Sequence, residues 1–383
     1  MTDPCKAAAV SPHANTLFAS LELGRARWLV TVSAPGSDKL SRHAIAGGDS
    51  AALLQLLSRL RAAAGRELGA PASLVVVQEA GLDGFWLHRL LLREGIESHV
   101  VDAASIAVNR RHRRAKTDAI DGDLLVRTLM AWARGERQVC SMVEAPSPDA
   151  EDQRRLSRER GRLVKERIAH TNRIKGLLFG QGVGDYDPLR ADRRARLATL
   201  RTGDGRPLPD RLRMEIAREV GRLELVLSQL ADVERERNAL LARAADSDPR
   251  AAPAMLVRLR GIGPEFASLL WLEALFRRFD NRRQIAAYAG LAPSPWQSGG
   301  IDREQGITKA GNPRLRHTLI ELAWFWTRHQ PGSALSRWFA QRVGQGRGRV
   351  RRIAIVALAR KLLVALWRYV TQGTVPQGAV FKA

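Results

Sequence analysis

LVVVQEAG, residues 74–81, is the stretch on which the fold turns. Four apolar residues, three of them valines, run without interruption before Gln78-Glu79, and Gly81 stops the segment, the pattern of a strand buried on both faces. Upstream, TLFASLELGRARWLVTVS (16–33) reads as two β-rich runs about the turn-like Gly24-Arg25-Ala26, and a further short strand fits His43–Ala46. GGDS then opens a helix over 51–66, with Ser50 as candidate N-cap. Downstream follow a helix over 83–94, a strand SHVVDA (98–103), a basic stretch, and a helix from about Thr117 to Arg134. Antiparallel strands followed by strand–helix alternation predict an α/β layer fold for this part of the chain.

The character changes after residue 149. AEDQRRLSRERGRLVKERIAHTNRIKGLLFG (150–180) reads as one long charged helix, with nine Lys/Arg between Arg154 and Lys175 and four acids between Glu151 and Glu166. A Gly/Asp/Pro-rich break (181–210) leads into a second long helix, 210–245, with Leu223, Leu227, Leu230 and Val233 at helical spacing. The pair predicts a coiled-coil arm, or equally a solvated helical hairpin within one domain. Beyond Pro253, RLRGIGPEFASLL places Gly261 and Gly263 between two short helical runs, where exposed backbone N–H groups would suit a phosphate. Then AAYAGLAPSPWQSGG and GITKAGNPRLRHTLIELAWFW read as a turn-rich loop and a helix, in which Trp324 and Trp326 fit core positions better than base-stacking ones. GQGRGRVRR forms a basic linker to a last helix. The expected domains are 14–148, 149–248 and 249–373, the latter two mainly α-helical.

Charge narrows the partners. Sixty-two Lys and Arg stand against 39 Asp and Glu, an excess of +23 that favours a polyphosphate, because each neutralised phosphate releases condensed counterions. Two cysteines, Cys5 and Cys140, suggest neither a disulfide framework nor a four-thiolate zinc site. The N-terminus lacks a signal-peptide core, and the apolar stretch Ile353–Val370 carries Arg360 and Lys361 in its middle, so it reads as a buried or amphipathic helix. A cytoplasmic protein without a membrane partner is expected.

Four acids fall where metal-assisted phosphoryl chemistry would need them. Glu22 ends the first strand, Glu79 ends the central one, and Asp118 and Asp121, three apart in KTDAIDGDLL, share a helix face. Carboxylates gathered at strand ends suit two magnesium ions, hard cations that prefer oxygen ligands and clamp attacking and leaving oxygens. Taken singly, Asp118 and Asp121 are ordinary first-turn acids and Glu22 a surface residue. Asp83 (a candidate N-cap), Asp102 and Asp123 stand as second choices. Arg110, Arg111, Arg113, Arg114 and Lys116 precede the acidic pair and suit a phosphate backbone delivered to it, or a solvated basic loop.

At these residues the sequence resembles the DEDD-type insertion-sequence transposases, the insertion-sequence "one-ten" family. The carrying segments are LFASLELGRARWLV, VVVQEAGLDGFWLHRLL, VVDAASIAVNRRHRRAKTDAIDGDLLVRTL, RLRGIGPEFASLL and AAYAGLAPSPWQSGGIDREQGITKAGNPRLRHTLIELAW, from about residue 16 to 330 and in the family's order. The resemblance implies a ribonuclease H-like N-terminal domain, a coiled-coil connection and a C-terminal transposase domain. It further implies magnesium-dependent DNA cleavage and exchange, dimers that pair into tetramers on DNA, and guidance by a structured RNA encoded by the element. Family motifs fall on Glu22, Glu79, Asp118 and Asp121, and on Ser298 as a nucleophile, with Glu22 standing where the family usually has Asp. From the residues alone Ser298 sits in a Gly-flanked loop near Lys309, Arg314 and Arg316, with Ser294 as its rival. A metal-only junction-resolving nuclease and a non-catalytic nucleic-acid-binding derivative are the alternatives.

Overall fold

The computed structural model describes residues 13–81, 83–106, 118–248, 251–298 and 301–382; the side chains of 104, 118, 119, 295–298 and 301–305 lie outside that description. The chain divides into two compact units, Met1–Pro146 and Ser147–Ala383.

In the first unit, β1 (Thr16–Leu23), β2 (Arg27–Ser33) and β3 (Leu40–Ala46) are followed by α1 (Ser50–Leu68), β4 (Ser73–Glu79), α2 (Trp86–Arg93), β5 (Glu97–Val101) and α3 (Asp118–Ala133). The five strands form one sheet in the order β3-β2-β1-β4-β5, antiparallel across the first three strands and parallel from β1 through β4 to β5. The period-2 alternation of side chains divides its contacts between two cores. Leu17, Ala19, Leu21, Leu74 and Val76 pack with Leu53 and Leu57 of α1 and Leu87 and Leu91 of α2. Phe18, Val75, Val77 and Val101 pack with Leu125, Val126 and Leu129 of α3. Helices therefore cover both faces, which is why the β4 segment is apolar throughout. Two expected caps fall elsewhere. Asp49, not Ser50, caps α1, accepting from the Ala52 N–H at 2.9 Å, because a side chain one residue earlier reaches the orphan donor. Asp83 is not the N-cap of α2, which begins after Phe85, a residue that makes no side-chain capping bond.

The second unit opens with α4 (Pro148–Phe179), then a short α5 (Arg193–Thr199) within the expected break, then α6 (Asp210–Ser247). Pairings of Arg160 with Glu234, His170 with Glu219 and Arg173 with Glu215 run in opposite directions along α4 and α6, so the two form an antiparallel hairpin. Its seam holds Leu163 against Val226, Leu230 and Val233, and Ile174 and Leu178 against Ile216, Val220 and Leu223. The long helices and their pairing match the sequence expectation at this coarser level.

Then follow α7 (Ala252–Arg258), α8 (Pro264–Leu270), a π-helical turn (Trp271–Leu275), α9 (Arg282–Tyr288), a hairpin of β6 (Pro293–Ser298) and β7 (Ile301–Ile307), α10 (Pro313–His329), α11 (Ala334–Val343) and α12 (Arg349–Gln372). Their core centres on Leu319, Leu322, Leu358, Leu362 and the fully buried Trp326, whose indole N–H donates to Ser333 Oγ at 2.9 Å. The tryptophans are thus core residues as expected, Trp326 fully and Trp324 in part. No helix among the described residues is long and apolar enough to cross a membrane, and α12 buries the apolar face that surrounds Arg360 and Lys361.

Candidate active site

Parallel pairing of β1 with β4 sets Leu21 beside Gln78, so the next residues, Glu22 and Glu79, end neighbouring strands at the same level. The pleat gives both the same face. Glu22 shares its parity with Phe18 and Ser20, and Glu79 with Val75 and Val77, which is the face covered by α3. Glu22 Oε1 is buried there.

Helix α3 is fastened at this edge by its first turns. The Ser20 hydroxyl, two residues before Glu22, donates to the Gly122 carbonyl at 2.8 Å. A Cβ on Gly122 would lie 2.5 Å from Thr31 Oγ1, so only glycine lets α3 approach the sheet this closely. Half-buried Asp121 is the adjacent residue, one turn beyond Asp118. The side chain of Asp118 is outside the described residues, as are Arg110, Arg111, Arg113, Arg114 and Lys116 altogether. Among the described residues, no three carboxylate, imidazole or thiol groups come together as a metal-holding group. The donor chemistry nonetheless fits a hard cation: Glu22, Glu79 and Asp121 all carry oxygen donors and are borne by β1, β4 and the first turns of α3.

The second choices separate. Asp102 follows Val101, the residue paired with Glu79, and so lies at the same edge. Asp123 is taken up by Arg42 in a two-pronged pair at 2.6 and 3.2 Å.

In the second unit, Ser298 is the last residue of β6 and pairs with Ile301 of β7. The turn-rich composition predicts a loop here, with Pro293 and Pro295 arguing against a strand. The structure forms a hairpin instead, and the Gly-Gly pair between two runs is the sequence signal for it. The register shift between Pro293 and Pro295 accommodates both prolines and leaves Ser294 at the irregularity. Where the hairpin joins the domain, Thr308 N–H donates to the Ala292 carbonyl at 2.9 Å and Asn312 N–H to the Tyr288 carbonyl at 2.7 Å.

The basic residues named near Ser298 differ in what they touch. Lys309 is exposed, with φ of 58° in the left-handed region, and its carbonyl accepts from Arg316 Nη1 at 2.9 Å. Arg314 turns inward, donating to the Ser157 carbonyl of α4 and lying 3.9 Å from Glu273. Glu273 is absent from the sequence-derived candidates: it is buried in the π-helical turn, where its Oε2 accepts from Asn312 Nδ2 at 2.9 Å. Asn312 Oδ1 in turn caps α10, accepting from the Arg314 and Leu315 N–H groups. In the sequence Glu273 is one acid in a helical run, and only the fold shows that it organises the entry to α10. Gly261 takes φ of +90°, and a Cβ there would meet His329 Cβ at 2.9 Å; Gly263 is the N-cap residue of α8.

A five-stranded mixed sheet with acids at its central strand ends, followed by a helical unit, suits metal-assisted chemistry on a phosphodiester. Comparison with known proteins defines the class. Residues 28–180 match a DEDD transposase model of the IS110 type, and residues 254–337 match the model "Transposase IS116/IS110/IS902 family". A Sinorhizobium fredii protein named "Putative transposase y4rJ" is 59% identical over 375 residues, covering 96% of this chain and 94% of that one. The "Transposase for insertion sequence element IS1328" of Yersinia enterocolitica is 30% identical over 62% of this chain and 70% of its own. The "Transposase for insertion sequence element IS1111A" of Coxiella burnetii is 26% identical over 78% of each chain. The chain belongs to the IS116/IS110/IS902 family of insertion-sequence transposases, and its DEDD domain implies a ribonuclease H-like fold.

Proposed function

We propose that this transposase cuts and exchanges DNA strands with magnesium held by Glu22, Glu79, Asp118 and Asp121 and with Ser298 as nucleophile. The observation that carries the metal half is the adjacency of Glu22 and Glu79 at the ends of paired parallel strands, on the face where α3 brings Asp121. Magnesium, when bound, would supply positive charge to phosphoryl oxygens as the transferred group changes partners. The protein's own part is to hold the carboxylates in place, through Ser20 and the close approach at Gly122. Ser298 Oγ would form a bond to phosphorus as the strand's bridging P–O bond breaks, the departing oxygen taking up the proton that the serine loses. The link conserves the phosphodiester's energy for rejoining.

The finer features belong to the same reading. The division 14–148, 149–248, 249–373 separates the acidic domain, the hairpin and the serine-bearing domain. In the hairpin, buried Ile216, Val220, Leu223, Val226, Leu230, Val233, Arg237 and Leu241 recur at intervals of three and four, the spacing of one helix face along a coiled-coil arm. The arginines at 110–114, Lys116, Gly261, Gly263, Lys309, Arg314 and Arg316 would contact nucleic acid, including an element-encoded guide RNA, in a cytoplasmic, nucleoid-associated dimer that pairs into a tetramer.

The test is a denaturing gel of end-labelled donor DNA with magnesium present. Wild type should give a protease-sensitive shifted band, and Ser298→Ala should lose the band and joined product together while Ser294→Ala keeps both. Glu79→Ala and Asp121→Ala should abolish product yet bind DNA. Free ends without a shifted band in wild type would replace the serine mechanism with a metal-only nuclease.

A further inference from the structure

After Glu321 the chain contains no Asp or Glu, yet through Ala383 it carries nine Arg and two Lys. Six of these arginines, Arg337, Arg342, Arg347, Arg349, Arg351 and Arg352, fall on α11, on α12's first turn and on the five-residue bend between them, and all six are exposed. Among the described residues none of the six takes part in an ion pair. The bend is made of glycines at 344, 346 and 348, two of them with positive φ, which fold the two helices back at an elbow.

The arrangement is costly to the fold taken alone. Arg349, Arg351 and Arg352 stand in the first turn of a 24-residue helix, where the macrodipole favours acids, and its N-cap Gly348 offers no capping side chain. Among the described residues no carboxylate pairs with any of these like charges. Local choices that oppose stability mark places where another requirement wins. Guanidinium forks match phosphate oxygens two at a time, whereas the aromatic rings nearby are already covered: Arg351 lies over Trp324 at 4.9 Å and Lys361 over Trp338 at 4.7 Å. The elbow therefore offers charge, and the two rings beside it already carry cations.

We propose that the α11–α12 elbow is a docking surface for the phosphodiester backbone of duplex DNA, gripped without regard to sequence. This rests on the family's action on DNA and adds where, outside the acidic strand ends and the Ser298 hairpin, the substrate is held. Duplex DNA is favoured over RNA because a transposase must hold duplex whatever else it binds, and because phosphate contacts position a duplex while carrying no base code.

The experiment compares Arg347→Gln/Arg349→Gln/Arg352→Gln with wild type and with a charge-matched control, Arg59→Gln/Arg61→Gln/Arg66→Gln on α1. Affinity for a 30-base-pair duplex and for a stem-loop RNA is measured across a salt series. Glutamine keeps helix propensity near that of arginine, so melting of the elbow variant should stay level or rise. Its duplex affinity should fall at least tenfold, and the slope of log affinity against log salt should flatten by roughly three, about one for each phosphate that is no longer neutralised. Equal loss in the control, unchanged duplex affinity, or a loss for RNA as large as that for duplex would each overturn the proposal. Duplex binding by wild type is the separate check on the reading beneath it.

Discussion

Along α4 and α6 arginines meet carboxylates: across the seam Arg160 reaches Glu234 at 2.7 Å and Arg173 reaches Glu215, while Arg160 at 3.2 Å and Arg237 also reach Glu265 of α8. At the hairpin's far end Arg193 and Arg194 of α5 share Glu224. Around the α11–α12 elbow a comparable density of arginine meets no carboxylate among the described residues. The cluster at 154–175 is dense in cations, but much of it is engaged within the fold. Arg154 is buried, donating to the Leu272 carbonyl at 2.8 Å and lying 4.2 Å above the Phe276 ring. A chain's net charge thus says that a polyanion is expected, while local compensation decides where it can bind.

The comparison can be broken at its strongest point. Arg237 has a side chain only 9% exposed and pairs with Glu265. Arg237→Ala should lower stability by about 3 kcal/mol, near the lower end for breaking a buried pair, because Arg160 still attends Glu265. The readout is the urea midpoint with an unchanged m-value, and a shift below a third of this would show that the hairpin's arginines are as uncommitted as the elbow's.

A smaller effect of opposite sign is expected at the elbow. Arg349→Glu replaces a cation with an anion in the first turn of α12 and should raise stability by about 0.3–1 kcal/mol while weakening duplex binding. Loss of stability here would mean that Arg349 has a partner in the fold and that the two regions do not differ in kind.

The smallest effect is a dependence on pH. Hydrogen bonds from Arg194, and then Arg193, hold the Glu224 carboxyl below its ordinary range against the opposing effect of burial. A carboxyl depressed in the folded state contributes stability above its unfolded value, and the contribution is lost as pH falls through the folded one. Glu224→Gln should therefore cost up to about 1 kcal/mol at pH 7, discounted because Arg194 is largely exposed. The gap between variant and wild type should close as pH drops below the ordinary carboxylate range. A gap that persists at pH 3 would assign the effect to packing.

Much of the candidate site is legible in sequence because strand ends are. The run at 74–77 stops at Gln78-Glu79, and period-2 alternation alone fixes the face that Glu79 takes. The hairpin helices are equally legible from their length and spacing. The β6–β7 hairpin is not, since its prolines mask a strand whose pairing depends on a partner further along the chain. Nor is Glu273, since burial is a property of the surroundings and not of the residue.

Composition, periodicity and motif order thus determined the layered N-terminal fold, the two long helices, the acids at strand ends and the polyanionic partner, all of which are local or additive properties of a chain. Tertiary structure alone decided that Glu22 lies beside Glu79, through the parallel register of strands β1 and β4, which are distant in sequence. It also decided that Arg314 faces Glu273 and α4 while the elbow arginines face solvent. Pairing of residues distant in sequence depends on which surfaces the core brings together, and identical side chains become structural or available according to whether a carboxylate arrives opposite them.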